Sequence, residues 1–149
     1  MTTAYDIPSS VLVEKICEEL KGVEKVKPPQ WALYAKTGSR HTRTPDRTDW
    51  WHVRAASLMR RLYIDGPVGV ERLSRFYGGK QNRGHKPEQF TEASGSVLRE
   101  ILQQLSEAGL VEEVRGGRKL TSKGHALVDK HAHEAKKQLE DKIPALSKY

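Results

Sequence analysis

The sequence has almost no cysteine and no long apolar segment. Its 149 residues include a single cysteine, Cys17. One thiol excludes an intrachain disulfide framework and a cysteine metal cluster, and it is typical of a reducing compartment. No run approaches the ~20 apolar residues that a membrane span requires. The first ten residues also lack the basic start and apolar stretch of a signal peptide. We therefore expect a soluble intracellular protein.

Motifs for catalysis, for cofactors and for metals are also missing. Gly79-Lys80 invites a phosphate-loop interpretation, but that motif needs a glycine in place of Ser74 and a serine or threonine in place of Gln81. His131 and His133 lie two residues apart in a predicted helix, so their side chains point in different directions. The sequence contains no nucleophile-elbow motif and no evident pair of catalytic carboxylates. We predict that the protein is not an enzyme and holds neither cofactor nor metal.

Positive charge is what the sequence has in excess. Lys+Arg 26 against Asp+Glu 19 gives a net charge of +7. Between Lys36 and Lys86, twelve lysines and arginines stand against four carboxylates, an excess larger than that of the whole chain. Such a concentration indicates an anionic partner, with nucleic acid first and a membrane surface second. A basic surface kept for solubility is the alternative.

Asp49 to Asp65 is the longest segment with clear helical periodicity. Thr48 or Asp49 is predicted to cap its start, and Gly66-Pro67 to end it. One face is apolar and is predicted to enter the core; it includes Trp51, Leu58 and Leu62. The other face is predicted to meet RNA; it includes Trp50, Arg54 and Arg61, with Arg60 at its edge. For Trp50 and Arg54 the alternative is a structural role, in packing and in pairing with a carboxylate respectively.

The remaining elements predict a mostly α fold in one domain, residues 1–149. We expect N-terminal helices over about 8–37, a winged-helix core over about 49–121, and a C-terminal helix over about 122–138 followed by a frayed tail. The core comprises the long helix, a short helix near 69–77, a helix at 94–108, and a β-hairpin wing turning at Gly116-Gly117. The C-terminal helix is expected to turn Ala126, Val128 and His131 inward.

Two segments without apolar periodicity are predicted to be basic loops, 37–49 and 80–90. Loop cations among small hydroxyl residues suit contact with phosphates, although solvated loops are the alternative. The candidate RNA-binding residues in and beside these loops are Lys36, Arg40, His41, Arg43, Arg47, Lys80, Arg83, His85 and Lys86. Arg115 and Arg118 at the hairpin turn are further candidates, with solvated turn residues as the alternative.

The distribution of cations favours folded RNA over duplex DNA. In a DNA-reading winged helix the helix at 94–108 would enter the major groove. Its outward residues include one cation, Arg99, and two carboxylates, Glu100 and Glu107. Gln103 and Gln104 are also expected to face outward, where they would suit adenine. A winged-helix DNA-binding transcription regulator is therefore the alternative, and a protein-interaction module using the hairpin or last helix is a third possibility.

The chain resembles the eS19 family of small-subunit ribosomal proteins of archaea and eukaryotes. The matching segments are WALYAKTG, DWWHVRAASLMRRLY, GVERLSRFYGGKQNRG, GSVLREILQQLSEAGLVE and GGRKLTSKGHALVD. The resemblance extends from about Tyr5 to Ala132, and the combination of these segments is highly specific. The length of the chain and its C-terminal sequence favour an archaeal member of the family.

This resemblance implies a winged-helix fold, cytoplasmic location in the head of the small subunit, and a role in subunit assembly and rRNA maturation. The implied partners are small-subunit rRNA and neighbouring ribosomal proteins, with a monomer off the ribosome. The family's functional helix corresponds to Trp50 through Arg61, with Arg54 and Arg60 at its main basic positions. Arg99 and Gly116-Gly117 with Arg118 correspond to its second basic region.

Overall fold

The computed structural model describes residues 2–140. Within that range the helices are α1 (Ser9–Lys21), α2 (Trp50–Asp65), α3 (Val70–Phe76), α4 (Gly95–Glu107) and α5 (Ser122–Glu140), with a 3-10 helix at Gln30–Leu33. The strands are β1 (Gly79–Arg83), β2 (Lys86–Thr91), β3 (Val111–Val114) and β4 (Gly117–Leu120), paired as two antiparallel hairpins. The prediction of a mostly α protein is confirmed. None of the described helices is long and apolar enough to cross a membrane.

Helix α2 lies at the centre of the fold and packs against α1, α4 and α5. Trp51, Leu58 and Leu62 are buried in the core, as its periodicity predicts. The helix ends at Gly66, whose φ of 72° suits a residue without a side chain. The expected side-chain cap is absent, because the carboxylate of Asp49 instead pairs with Lys21 and Arg47.

The N-terminal region contains one long helix, not two. In α1 the apolar residues Leu12, Ile16 and Leu20 recur every four positions and are fully buried. The second predicted helix is reduced to the 3-10 turn at Gln30–Leu33. Two consecutive prolines precede it, and of its four residues only Ala32 is buried, so it has no apolar face that could support a longer helix.

Residues 80–90 form the β1–β2 hairpin, so the prediction of a loop there was wrong. Arg83 pairs with Lys86, and Gly84-His85 forms the turn, with Gly84 at a φ of 72°. Nearly every residue of both strands is exposed. Since neither face is apolar, the sequence has none of the alternation by which a half-buried strand is recognised.

The β3–β4 hairpin was predicted, and it is tied to the connection between α2 and α3. Val68 and Arg118 exchange two backbone hydrogen bonds, both 3.0 Å long. Gly117 has a φ of 147°, and a Cβ there would collide with the backbone of Val68. Glycine is therefore required at this position by both conformation and space.

The C-terminal helix α5 closes the core against α1. Val128 and His131 face inward as predicted, but Ala126 is exposed, so that part of the prediction was wrong. A Cβ on Gly124 would collide with the carbonyl oxygen of Leu110, which shows how closely the helix approaches β3. The expected frayed tail falls mainly on residues 141–149, outside the described part, while residues 139–140 belong to α5.

Candidate nucleic-acid interface

The first basic loop crosses from α2 to the β1–β2 hairpin. The Ser39 hydroxyl donates to the Thr91 carbonyl at 3.5 Å. The side chain of Arg40 lies over Gly79, where an added Cβ would come 2.8 Å from the Arg40 Cδ atom. The loop 37–47, the outer side of α2 and the β1–β2 hairpin are thereby joined into one surface, which we call the basic face.

Arg54 is the most enclosed cation of the basic face. Its guanidinium carbon lies 4.4 Å from the centre of the Tyr77 ring, and its Nη2 donates to the Thr37 carbonyl at 3.1 Å. The Tyr77 hydroxyl in turn shares a 2.8 Å hydrogen bond with Ser57. Arg54 forms no ion pair with any carboxylate among the described residues, so the structural pairing considered from the sequence is replaced by an aromatic ring and a carbonyl.

Burial lowers the pKa of Arg54 from its usual value, and the charge of nearby Arg40 lowers it further. Tyr77 acts in the opposite direction. An arginine remains protonated under such conditions, so the site holds two neighbouring positive charges. A partly buried cation without a counterion is unfavourable, and an incoming anion would relieve it.

Trp50 was expected to be exposed, and that expectation was wrong. Only 8% of its surface is accessible, and its ring meets that of Trp51 edge to face at 5.4 Å. The cause is tertiary: the loop 37–47 folds over the start of α2, as Pro45 and Arg47 beside Trp50 show. The packing role considered as the alternative for Trp50 is the one that the structure shows.

A cleft of about 420 Å³ remains between that loop and α2. Trp50, Val53 and Pro45 supply its apolar lining, and Arg54 and Tyr77 also line it. The small accessible part of Trp50 therefore adjoins a concave, mixed aromatic and cationic surface. The local sequence pattern does not predict this cleft, because the cleft depends on where the loop is placed relative to α2.

On the basic face, two cations predicted to bind RNA, Arg47 and Arg61, are held in ion pairs. Arg47 reaches both Glu14 at 2.6 Å and Asp49 at 3.0 Å, contacts that raise its pKa and lower the pKa of each carboxyl group. Arg61 pairs with Asp65 at 2.5 Å and lies 4.0 Å from the centre of the Phe76 ring. Their first role is to fasten the loop and the end of α2.

Arg60 is half-buried, and its Nε atom has no hydrogen-bond partner among the described residues. Because a buried donor without a partner is unfavourable, Arg60 has hydrogen-bonding capacity that a ligand reaching α2 could use.

Most other candidates are accessible. The exposed set on the loop and hairpin comprises Lys36, Arg40, His41, Arg43, Lys80, Arg83, His85 and Lys86. None of the lysines and arginines in this set forms an ion pair with a carboxylate in the described part of the chain. Two aromatic residues that we did not single out as surface candidates, Phe76 and Phe90, are also about half exposed.

The second basic region lies apart from the basic face and contains charges of both signs. Arg99 is exposed on α4, and Arg115 is exposed at the β3–β4 turn. Arg118 pairs with Glu113 at 2.5 Å, and 23% of its side chain is accessible. Glu107 lines the same cleft of about 410 Å³ as Arg99 on α4 and Arg118 on β4. Carboxylates thus pair with or adjoin the cations here, whereas Arg54 forms no ion pair in the described part of the chain.

Gln104 does not face outward as expected. Its side-chain oxygen accepts the Trp51 indole hydrogen bond at 3.0 Å, and its nitrogen donates to the Lys27 carbonyl at 2.8 Å. Gln104 therefore holds the Trp51 ring in place and ties it to the segment between α1 and α2 at Lys27. One of the two glutamines considered for reading adenine is therefore unavailable for that purpose.

Fold and surface together define a small, mostly helical protein with a cation-rich face suited to an anionic polymer. Residues 3–138 match the model of the family described as ribosomal protein S19e. The small ribosomal subunit protein eS19 of Aeropyrum pernix is 46% identical over 152 residues, covering 100% of this chain and 99% of the relative. The protein of the same name from Thermoplasma acidophilum is 38% identical over 149 residues, with the same coverage of both chains.

A third relative, small ribosomal subunit protein eS19 of Argopecten irradians, is 38% identical over 138 residues, covering 92% of this chain and 96% of the relative. The chain belongs to the ribosomal protein S19e family. The resemblance noted in the sequence is thereby confirmed, and archaeal proteins are among the relatives that align along its whole length.

Proposed function

We propose that this protein is a structural constituent of the small ribosomal subunit in the cytoplasm and that its basic face binds small-subunit rRNA. The observation that carries the proposal is the fixing of Arg54 between Tyr77 and the loop that carries Arg40, with no ion pair from either arginine to a carboxylate among the described residues. The relatives are named as small ribosomal subunit proteins. RNA phosphates would supply the missing negative charge.

The geometry at Arg54 supports an RNA partner in particular. Tyr77 and the Thr37 carbonyl hold the guanidinium in place before a ligand arrives. Preorganised arginines bind phosphate through several directed hydrogen bonds, which a flexible lysine does not reproduce. The exposed cations of the loop lie on the same face and extend the contact along a phosphate backbone.

The β1–β2 hairpin suits a role as an arm that reaches into folded RNA. An isolated two-stranded hairpin is marginally stable, and this one has little apolar burial. It carries Lys80, Arg83 and Lys86 together with the half-exposed ring of Phe90. In irregular RNA, cations contact the phosphates, and an accessible aromatic ring can stack on unstacked bases.

Subunit assembly follows from this mode of binding. A protein that contacts RNA on its loop, on α2 and on the hairpin stabilises one arrangement of the RNA segments that it touches. We propose that it thereby supports rRNA maturation, acts without catalysis, and is a monomer before it joins neighbouring ribosomal proteins in the head of the subunit. We further propose that α2, α3, α4 and the β3–β4 hairpin form a winged-helix core.

A DNA-binding regulator is not favoured. It would require α4 to face the major groove, yet Arg99 there is accompanied by Glu100 and Glu107. Gln104 is engaged by Trp51. The groove of duplex DNA is lined by phosphates, and such a surface neutralises few of them.

Sedimentation of tagged variants tests the proposal. Cells expressing tagged protein are lysed, ribosomal subunits are separated on a sucrose gradient, and the tag is followed across it. We expect Arg54→Gln combined with Arg40→Gln to remain at the top, while Lys137→Gln, on the exposed side of α5, cosediments with small subunits like the wild type. Thermal melts confirm that each variant is folded. Normal incorporation of a folded double variant would overturn the proposed interface.

A further inference from the structure

The cleft beside Arg54 is shaped for something smaller than an RNA helix. It encloses about 420 Å³ between the loop 37–47 and α2. Pockets for small molecules span roughly 300–1,000 Å³, so this one lies at the lower end of that range. Its volume suits one nucleotide and excludes a base-paired segment.

The walls of the cleft combine two kinds of atom that suit a nucleotide. Trp50, Val53 and Ser57 line it from α2, where they share one helix face. Thr37 and Pro45 line it from the loop, so each wall carries both apolar and polar atoms. A planar base with an apolar face and polar edges satisfies both kinds of atom at once.

Arg54 supplies both a planar surface and a charge. It is stacked against Tyr77, whose hydroxyl is fixed by Ser57. Guanidinium planes and aromatic rings are the groups on which proteins stack unpaired bases. Arg40 follows in the same loop as Thr37, whose carbonyl accepts a hydrogen bond from Arg54, and the Arg40 side chain is exposed. Phosphate therefore has a favourable position at the rim.

The carboxylate of Asp46 argues against a phosphate deep inside. It lines the cleft together with Arg47 and Arg54 and forms no ion pair with a cation of the described chain. A second negative group beside it would be repelled, whereas the amino groups of a base or the hydroxyls of a ribose can donate to it. The interior thus favours a nucleoside over a bare anion.

We infer that this cleft binds a single unstacked nucleotide of the RNA, with its base against the Arg54 guanidinium and the apolar residues of the lining and its phosphate toward Arg40. The inference rests on the proposed function, because the RNA supplies the nucleotide. It adds that the protein recognises an unpaired position in the RNA and not only a phosphate path.

NMR titration of the full chain tests the inference without knowledge of the RNA sequence. The four ribonucleoside monophosphates are added to labelled wild-type protein in parallel with inorganic phosphate and ribose 5-phosphate at matched ionic strength. We expect at least one nucleotide to shift the Trp50 indole signal and the Val53 and Ser57 amides, with smaller shifts there from either base-free compound. Equal shifts from the base-free compounds, or no shift in the cleft with any nucleotide, would overturn the inference.

Filling the cleft separates this inference from the proposed function. Val53→Trp places a ring in the cleft while leaving Arg54, Tyr77 and Ser57 unchanged. We expect it to weaken binding to small-subunit rRNA by roughly 5- to 150-fold, the range for loss of one base stack, and to abolish the nucleotide shifts. If this folded variant binds rRNA normally while Arg54→Gln does not, the inference fails and the proposed function stands. If Val53→Trp does not fold, the wild-type titration decides alone.

Discussion

The guanidinium of Arg54 and the ring of Tyr77 are stacked, with 4.4 Å between the guanidinium carbon and the ring centre. The contact joins the middle of α2 to the residue that follows α3, and the Thr37 carbonyl adds the basic loop to it. Three segments far apart in the chain are thus fixed around one positive charge. Burial is the main cause that lowers the Arg54 pKa and raises the Tyr77 pKa.

Replacing Arg54 should reduce the salt dependence of RNA binding. Arg54→Gln removes one phosphate contact, so the slope of log K against log salt should become shallower by about 0.7 to 1. Binding to small-subunit rRNA is measured by filter retention across a range of potassium chloride concentrations. Lys137→Gln is the control and should leave the slope unchanged. An unchanged slope for Arg54→Gln would remove this residue from the interface.

Trp51 should act through stability and not through binding. Its side chain is fully buried and hydrogen-bonded to Gln104. Trp51→Ala should therefore reduce the free energy of unfolding by ~3–5 kcal/mol. Denaturant unfolding measures this change, with Tyr34→Ala as the control, because Tyr34 is 83% exposed and its replacement should cost about 0.5 kcal/mol or less. Equal stability losses for the two variants would contradict the assignment of Trp51 to the core.

Gly124 should not tolerate alanine, although it lies within α5. Alanine in an exposed helix position is more favourable than glycine by about 1 kcal/mol. At Gly124 the added Cβ would strike the Leu110 carbonyl, so we expect a loss of stability instead. Gly95→Ala in α4 is the matched control, since its Cβ meets only the Arg99 guanidinium at 3.5 Å. A stabilising effect at both positions, measured by thermal melts, would refute the close approach of α5 to β3.

Asp49 should make stability depend on pH. Hydrogen bonds from Arg47, and then from Lys21, hold the Asp49 pKa well below its usual value. A carboxyl group with a lowered pKa in the folded state stabilises the protein above the unfolded value of about 3.9 and loses that effect as the pH falls below it. Asp49→Asn should therefore be less stable than the wild type at pH 7, and the difference should shrink below about pH 4.

Urea unfolding at pH 7, 5, 4 and 3 measures this difference. Glu88→Gln serves as a control for the removal of a carboxylate outside the Arg47 and Lys21 cluster. A gap between Asp49→Asn and the wild type that stays constant across the series would show that the ion pairs do not contribute in solution.

The regular part of the fold could be predicted because local pattern and burial agree there. The four-residue spacing of Leu12, Ile16 and Leu20 predicted α1, and the apolar face of α2 correctly placed Trp51 in the core. The Arg115-Gly116-Gly117 sequence predicted the β3–β4 turn, where both glycines have positive φ. In each case the sequence period and the surface that is buried coincide.

The features that define the interface could not be predicted in the same way. Trp50 lies on the polar side of α2, yet a loop without periodicity covers it. Residues 80–90 form strands with polar side chains on both faces, so no alternation distinguishes them from a loop. The approach of Arg40 to Arg54 depends on where that loop crosses Gly79. All three features depend on how distant segments are placed in the tertiary structure. Helical or strand periodicity carries no information about that placement.

Competition between RNA and DNA tests the central claim most directly. Purified protein bound to labelled small-subunit rRNA at physiological salt is challenged with unlabelled rRNA or with duplex DNA at equal phosphate concentration, and the bound fraction is measured by filter retention. We predict that rRNA displaces the label at a concentration at least about tenfold lower than DNA, a difference of about 1.4 kcal/mol, and that Arg54→Gln binds both nucleic acids more weakly. Equal displacement by DNA and rRNA would contradict a surface built for folded RNA.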